Sequence, residues 1–315
     1  MQDDIGRQIE YLRISITERC NLACRYCKPL HGAEARVLTD AQIGQIAKAG
    51  GMLGMRKIRL TGGEPLVREN VAHLVALLRE THGIEQVAIT TNGVLLHQQL
   101  PALLAAGLSR VNISLDATSP ALYAEITGRD CVLAVQKGID AALTANLPVR
   151  INCVPLQSSY MQQIAELAAL ADAYAVDVRF IELMPMGKAA EIQGVPNTEI
   201  LRVLSQKYGA FTTVEKHSAD GPAQYYRFAG QKGRIGLISP LSHSFCSECN
   251  RVRVSATGFL RTCLACAHGA DLRPALVSGI GLQDTMQAAI LAKPICHHFG
   301  DAPCTDLASM AQIGG

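Results

Sequence analysis

The sequence predicts an α/β protein, an incomplete (β/α)6 barrel of the TIM type followed by a small C-terminal region. From residue 11 to about residue 182, six short runs rich in β-branched residues alternate with helix-like segments. After about residue 187 this alternation gives way to a stretch with glycine and proline and then to a hairpin, residues 225–230 returning through 234–239. We therefore predict a barrel over residues 1–190 and a C-terminal region over residues 191–315.

Each predicted strand precedes a segment with a broad apolar face, as in helices that cover a parallel sheet. The clearest of these predicted helices lie at residues 71–80 and 164–175. In chain order the strands are YLRISIT (11–17), KIRLT (57–61), QVAITT (86–91), RVNISLD (110–116), VRINCV (149–154) and DVRFIE (177–182). Barrels of this kind hold their chemistry at the carboxyl ends of the strands, where this chain is rich in glycine and polar residues.

The composition excludes several classes of protein. A chain of 315 residues with 49% hydrophobic and 18% charged residues is a folded globule and not a disordered protein. A formal net charge of +2 gives no reason to expect a nucleic acid or a membrane surface as partner. Residues 1–10 carry acids and amides where a secretory signal needs basic and apolar residues. We therefore expect a cytoplasmic protein.

Eleven cysteines without a secretory signal favour metal or redox chemistry over disulfides. Six of them form two tight groups, Cys20/Cys24/Cys27 and Cys246/Cys249/Cys263. The remaining five are scattered, as packing cysteines often are: Cys131, Cys153, Cys266, Cys296 and Cys304.

The first cysteine group follows the first strand with the spacing C-x-x-x-C-x-x-C, so three thiolates converge on one centre. A structural zinc site has four ligands, whereas three thiolates on a 4Fe-4S cluster leave one iron open. A zinc knuckle completed by His31 is the alternative. After the second strand, the run TGGEP (61–65) adds two glycines that permit a close backbone approach, and the acceptor Glu64, which suits an amino group.

The second group begins with Cys246 and Cys249 in the spacing C-x-x-C, and thirteen residues separate Cys249 from Cys263. A fourth cysteine, Cys266, leaves open a zinc ribbon with four thiolates. Arg251 and Arg253 lie on one face of a presumed strand beside these cysteines. Two arginines in that position indicate the capture of an anionic substrate.

These motifs resemble those of a known family. The run CNLACRYC (20–27) resembles the signature of the radical S-adenosylmethionine superfamily. The runs FCSECNRVRVSATG (245–258) and TCL (262–264) resemble the C-terminal cluster segment of the GTP 3′,8-cyclases of molybdenum cofactor biosynthesis, and further similarity covers about residues 10–273 and the final Gly-Gly. The resemblance implies two 4Fe-4S clusters, S-adenosylmethionine as the source of a 5′-deoxyadenosyl radical, and GTP as substrate.

The resemblance also implies roles for single residues. The cluster ligands would be Cys20, Cys24, Cys27, Cys246, Cys249 and Cys263. The residues beside the cofactor would be Tyr26, Gly63, Glu64, Ser114, Asp116 and Met184. The residues that bind GTP would be Arg13, Arg59, Thr90, Arg150, Arg179, Arg251 and Arg253, with a catalytic tail formed by Gly314 and Gly315. Two positions depart from the family pattern, since Arg150 stands where lysine is more usual and Lys28 where methionine is.

In the implied reaction, hydrogen is removed from the 3′ carbon of the GTP ribose, and this carbon then attacks carbon 8 of guanine. The implied partners are a flavodoxin-like or ferredoxin-like reductant, cyclic pyranopterin monophosphate synthase downstream, and a second copy of the chain in a homodimer. Two alternatives stay open: a radical S-adenosylmethionine enzyme that modifies a peptide, and a non-catalytic iron–sulfur or zinc protein that senses redox state. The first lacks an obvious peptide-docking domain here, and the second explains neither the GGEP turn nor the arginines.

Overall fold

The structure is a computed structural model that describes residues 1–27, 36–215, 221–266, 268–297, 299 and 310–313. Its strands are β1 (Tyr11–Ser15), β2 (Lys57–Thr61), β3 (Gln86–Thr91), β4 (Arg110–Ser114), β5 (Val149–Cys153), β6 (Asp177–Ile181), β7 (Phe211–Val214), β8 (Gln224–Phe228), β9 (Arg234–Ile238), β10 (Arg251–Val254), β11 (Phe259–Arg261) and β12 (Gly269–Asp271).

Ten α-helices lie within the same described residues. They are α1 (Asp40–Met52), α2 (Val71–Arg79), α3 (Leu96–Ala105), α4 (Pro120–Thr127), α5 (Val132–Thr144), α6 (Tyr160–Ala173), α7 (Asn197–Tyr208), α8 (Arg273–Ser278), α9 (Leu282–Leu291) and α10 (Met310–Ile313). In this part of the chain, no helix combines the length and the apolar character that crossing a membrane requires.

The six predicted strands are β1 to β6, and each pairs in parallel with the next in chain order. The predicted helix at residues 71–80 is α2, and residues 164–173 belong to α6, which begins four residues earlier at Tyr160. The prediction of an incomplete parallel barrel with covering helices is therefore confirmed.

The C-terminal strands extend both edges of this barrel. β9 pairs in parallel with β6, and β8 and β7 continue that edge antiparallel. β10 pairs in parallel with β1, and β11 and β12 continue the other edge antiparallel. The predicted hairpin is the β8/β9 pair. A boundary near residue 190 stays a prediction, because one continuous sheet runs through both regions.

Strand alternation separates the packed core from the lumen. Ile14, Leu60, Ile89, Val111 and Val149 are register partners on successive strands and are all buried in the main core under the helices. The opposite face carries a different row of register partners: Arg253, Arg13, Arg59, Ala88 and Arg110. Because successive side chains of a strand point to opposite faces, the apolar row secures the fold while the cationic row faces inward.

Candidate active site

A cavity of about 400 Å³ occupies the lumen of the barrel. Its lining contains all six cysteines of the two groups, all six residues predicted to lie beside the cofactor, and all seven predicted to bind GTP. Gly314 and Gly315 lie outside the described residues, as do Lys28 and His31. The fold thus brings every described candidate to one site, although the role of each candidate stays a prediction.

The two cysteine groups lie at opposite ends of the strands. Cys20, Cys24 and Cys27 follow β1 and therefore lie at its carboxyl end. Cys249 precedes β10, which runs parallel to β1, and Cys263 follows β11, which runs antiparallel to β10, so both lie at the amino end. A strand of five residues spans about 16 Å. The two groups therefore cannot ligate one centre, and the space between them suits an elongated ligand.

The glycines of the TGGEP turn let it pack against the backbone of the first cysteine loop. A Cβ atom on Gly63 would lie 2.4 Å from the carbonyl oxygen of Arg19, and one on Gly62 would lie 2.5 Å from that of Thr17. The amide of Gly63 donates to the Thr17 carbonyl at 2.8 Å, and that of Glu64 donates to the Arg19 carbonyl at 2.8 Å. The close approach expected of a ligand is therefore made by the cysteine loop itself.

Glu64 is a buried carboxylate at this end of the cavity, with 1% of its surface exposed. It accepts hydrogen bonds from the amide of Leu66 at 2.9 Å, the hydroxyl of Thr91 at 2.7 Å and the amide of Asn92 at 2.6 Å. Burial outweighs these bonds and raises the pKa of Glu64 to about 7. A cationic group beside Glu64 would stabilise its ionised form.

Asp116 is the second buried carboxyl group at the carboxyl end of the strands. It accepts from the phenol of Tyr26 at 2.6 Å and from the amide of Val154 at 2.9 Å. Burial raises the pKa of Asp116 to about 6, against the effect of these hydrogen bonds. The bond to Tyr26 also ties the cysteine loop to the end of β4, so Asp116 helps to fix the loop.

The thiols of the first group fit a cationic iron centre. Burial raises the pKa of Cys20 and of Cys24, and the charges of Asp116, Cys27 and Cys20 raise that of Cys24 further. Thiols bind metals as thiolates, so three adjacent ones need positive charge to compensate them. Within the described ranges, no three His, Cys, Asp or Glu side chains are arranged to hold a single metal ion. In a cubane cluster each thiolate binds a different iron.

The second group lies in a cationic environment. Burial raises the pKa of Cys249, but the charges of Arg251 and Lys293 outweigh it and leave this pKa below its usual value. The thiols of Cys263 and Cys266 share a hydrogen bond, which raises the pKa of Cys263 and lowers that of Cys266. Three thiols that line the cavity fit an iron–sulfur cluster here as well. Cys266 is close enough to be either a fourth ligand or a neighbour of a ligand.

Arginines fill the lumen between the two ends. Burial lowers the pKa of Arg59, Arg179 and Arg253 to about 10, and repulsion from other arginines contributes to each shift. Charges crowded in this way favour a ligand with several negative charges, because each guanidinium forms strong paired hydrogen bonds with phosphate oxygens.

Polar partners orient several of these arginines. Arg150 donates through Nε to Asp177 at 3.2 Å, and Arg179 donates through Nε to the side-chain oxygen of Asn152 at 2.9 Å. A lysine, which is more usual at position 150, has no planar guanidinium group and could not form this hydrogen bond to Asp177 in the same geometry. Asp177 also forms an ion pair with Arg234 at 2.8 Å. The arginine at position 150 is therefore built into the wall of the barrel.

The sequence-based prediction missed several residues of the lining. Three of them follow from strand alternation, since Tyr11 precedes Arg13 by two residues, and Asn112 and Asn152 stand at the same spacing from Ser114 and Arg150. Two more follow in the same way, since Lys57 precedes Arg59 by two residues and Arg110 precedes Ser114 by four. Other lining residues come from distant segments, among them His297, Phe299 and Met310.

Two family models match successive parts of the chain. Residues 14–171 match the Radical SAM superfamily, and residues 176–299 match Molybdenum Cofactor Synthesis C. Curated proteins named GTP 3′,8-cyclase match over 100% of both chains, with 40% identity for Petrotoga mobilis and 42% for Moorella thermoacetica.

A solved structure supports the architecture. The SuiB protein of Streptococcus suis, bound to S-adenosylmethionine, matches with a TM-score of 0.66 over 91% of this chain and 68% of that chain. The sequence identity is 14%, so this likeness concerns the fold alone.

Proposed function

The chain belongs to the GTP 3′,8-cyclase family, and on this premise we propose that it converts GTP to 3′,8-cyclo-7,8-dihydro-GTP in the first step of molybdenum cofactor biosynthesis. One observation carries the proposal: a single lumen has a group of cysteines at each end and buried arginines between them. That arrangement suits a nucleotide triphosphate held between two clusters. The alternative of a peptide-modifying enzyme rests on the fold alone.

When bound, the two 4Fe-4S clusters and S-adenosylmethionine supply the radical chemistry. We assign one cluster to the cysteines after β1 and the other to Cys246, Cys249 and Cys263. The cofactor side of the cavity consists of Tyr26, Gly63, Glu64, Ser114, Asp116 and Met184. Glu64 would receive the ammonium group of the cofactor. This positive charge would stabilise the ionised form of the buried carboxyl group, whose pKa burial raises to about 7 in the protein alone.

The arginines hold the substrate in this assignment. Arg13, Arg59 and Arg253 stand side by side on β1, β2 and β10. A charge-assisted hydrogen bond of this kind contributes about 1.5–3 kcal/mol. Thr90 lies next to Arg59, which donates to its hydroxyl at 3.5 Å, and the pair extends the polar wall toward the cofactor side.

An anaerobic assay tests the function. Reconstituted protein is incubated with GTP, S-adenosylmethionine and dithionite, and the cyclised product and 5′-deoxyadenosine are measured by mass spectrometry. We expect about eight irons per chain, both products in the wild type, and neither product in Cys24→Ala. Cys131→Ala is the matched control, because Cys131 lies in neither group. One zinc and about four irons per chain in protein purified without oxygen would overturn the two-cluster proposal.

Cys266→Ser separates the two interpretations of the second cysteine group. If three thiolates hold a cluster with an open iron, this variant keeps about eight irons and its cyclase activity, whereas Cys263→Ser loses both the second cluster and the activity. If four thiolates hold zinc, Cys266→Ser opens the tetrahedron and releases the metal. We expect the first result, since Cys266 is not among the described residues that line the cavity.

The proposal extends to partners. A flavodoxin-like or ferredoxin-like protein would supply electrons, which is tested when reduced flavodoxin replaces dithionite in the assay. Cyclic pyranopterin monophosphate synthase would consume the product, and its addition should convert that product further. Sedimentation equilibrium measures whether two chains form a homodimer.

A further inference from the structure

Lys293 is a buried ammonium group just after α9, with 7% of its surface exposed. Its Nζ atom donates to the carbonyl oxygen of Arg251 at 3.1 Å and to that of Thr262. Among the residues that the structure describes, no carboxylate forms an ion pair with it. A buried charge is costly unless an opposite charge compensates it.

The two carbonyl acceptors of Lys293 belong to the segments that carry the second cysteine group. Thr262 immediately precedes Cys263, and Arg251 follows Cys249 by two residues. The Nζ atom therefore bonds to the residue next to Cys263 in one segment and to the second residue after Cys249 in the other. Thiolates at Cys249 and Cys263 would therefore carry their negative charge close to this ammonium group.

Arg7 holds the segment of Lys293 against the same cysteines. Its guanidinium donates to the carbonyl oxygens of Cys246 at 3.0 Å, Pro294 at 2.9 Å and Lys293 at 3.3 Å. Asp3 pairs with Arg7 at 2.6 Å, and both side chains are buried. The charge of Arg7 is thus compensated within the protein, in contrast to that of Lys293.

Lys293 also differs from the other cations near the second group by its position. Arg251 and Arg253 line the cavity, where a bound triphosphate would compensate their charge. Lys293 is not among the described residues of that lining. Its charge therefore acts on the cysteine segments from outside the cavity, both with and without substrate.

Three thiolates leave a cubane cluster anionic, and one-electron reduction adds a further negative charge. A fixed cation nearby stabilises the reduced form more than the oxidised form. Net charge and hydrogen bonding around a cluster are the main controls on its reduction potential.

From this geometry we propose that Lys293 is the fixed counter-charge of the C-terminal cluster and raises its reduction potential. The proposal rests on the assignment of a cluster to Cys246, Cys249 and Cys263 under the proposed function. Lys293 is a positioning residue, since it acts on the cluster and not on the substrate.

The test uses variants of Lys293 in a chain that also carries Cys20→Ala, Cys24→Ala and Cys27→Ala, so that only the C-terminal cluster is observed. Lys293→Gln keeps a donor for the two carbonyls but removes the charge, and Lys293→Arg keeps the charge. Lys207→Met is the control, because Lys207 is an exposed lysine whose amine reaches the carbonyl of Ala165. Iron is counted, and the cluster is titrated with reductant by electron paramagnetic resonance.

We expect Lys293→Gln to lower the ratio of reduced to oxidised cluster at a fixed potential at least tenfold, which equals about 59 mV for a one-electron couple. Lys293→Arg and Lys207→Met should stay near the parent. Loss of iron in Lys293→Gln but not in Lys293→Arg would support the proposal, because retention would then follow the charge. An unshifted potential in Lys293→Gln, or an equal shift or equal iron loss in both Lys293 variants, would overturn it.

The outcome is separate from that of the proposed function. If the parent chain holds the C-terminal cluster and its potential responds to Lys293, the counter-charge role stands even where the wild type fails to cyclise GTP. If the parent holds no iron at the C-terminal site, the two-cluster assignment and the role of Lys293 both fall.

Discussion

Gly63 fixes the distance between the TGGEP turn and the first cysteine loop, because a methyl group at this position would meet the backbone of Arg19 and Glu18 within 2.7 Å. We therefore expect Gly63→Ala to displace the loop, to reduce the iron content from about eight to about four per chain, and to abolish formation of 5′-deoxyadenosine. The control is Gly44→Ala in α1, where the new atom meets only the flexible side chain of Leu77, at 3.2 Å. Full iron content in Gly63→Ala would contradict the prediction.

Glu64 and Asp116 make the stability of the cluster-free protein depend on pH. Their pKa values are raised by burial from 4.5 and 3.8 to about 7 and about 6, so the folded chain binds protons more tightly than the unfolded chain. The resulting stabilisation is fully present below about pH 4 and is lost as the pH rises through the folded pKa values. Between pH 5 and pH 8 we expect a loss of up to about 4 kcal/mol, from about three pKa units at about 1.4 kcal/mol each.

Urea denaturation under reducing conditions at a series of pH values measures this loss. The double variant Glu64→Gln, Asp116→Asn should remove most of the slope, since the cost of each neutral replacement does not depend on pH. A slope that is unchanged in the double variant would assign the pH dependence to other groups.

At the level of single residues, the sequence indicated which side chains gather at the cavity but not the contacts that they make there. The cysteines, Glu64, Arg251 and Arg253 stand out because their types and spacing are tied to their chemistry, whereas the other arginines were assigned through the resemblance to the family. The partners of Glu64 could not be identified, because Thr91 and Asn92 come from the next strand and meet it only in the folded barrel. Glu182 also directly follows a strand. It is buried and accepts hydrogen bonds from the backbone amides of Asn197 and Leu241, so at this strand end the acidic residue stabilises the local fold.

At the level of secondary structure, β10 and β9 protect the two edges of the six-stranded barrel. A fragment of residues 1–190 would lack both strands, so the edges of β1 and β6 that pair with them in the whole chain would be exposed. Exposed strand edges can pair with other chains. We expect this fragment to aggregate, and co-expression with residues 191–315 to restore soluble protein. Size-exclusion chromatography and circular dichroism measure both results, and a monomeric fragment 1–190 with cooperative thermal unfolding would contradict the prediction.

The existence of β9 and β10 could be predicted, but their positions in the sheet could not. The alternation in residues 234–239 and 249–258 indicates strands. β9 pairs with β6 and β10 pairs with β1 because these are the edges that the barrel leaves open. The local sequence of a strand does not indicate which edge it will join. The six parallel strands were predictable because each is followed by its covering helix.

At the level of the whole molecule, a net charge of +2 conceals a concentration of arginines in one cavity. A polyanion should therefore stabilise the protein, by about 2.7 kcal/mol at a concentration one hundred times its Kd. We expect inorganic tripolyphosphate to raise the Tm, and the rise to shrink as salt is added. Arg251→Ala should lose most of the rise, whereas Arg202→Ala should keep it, since Arg202 is exposed and pairs with Glu199. Equal effects in the two variants would contradict binding in the lumen.

The parallel pairing of β1 with β10 joins segments about 240 residues apart in the chain. A ribosome that adds 5–20 residues per second needs roughly 12 to 50 seconds to deliver β10 after β1 has emerged. During that interval the first cysteine group is already present, while the strand that completes its sheet has not been made. Contacts between residues so far apart in the sequence also form slowly during folding. We therefore expect nascent chains of this enzyme to depend on chaperones that shield β1, and metal insertion to follow release from the ribosome.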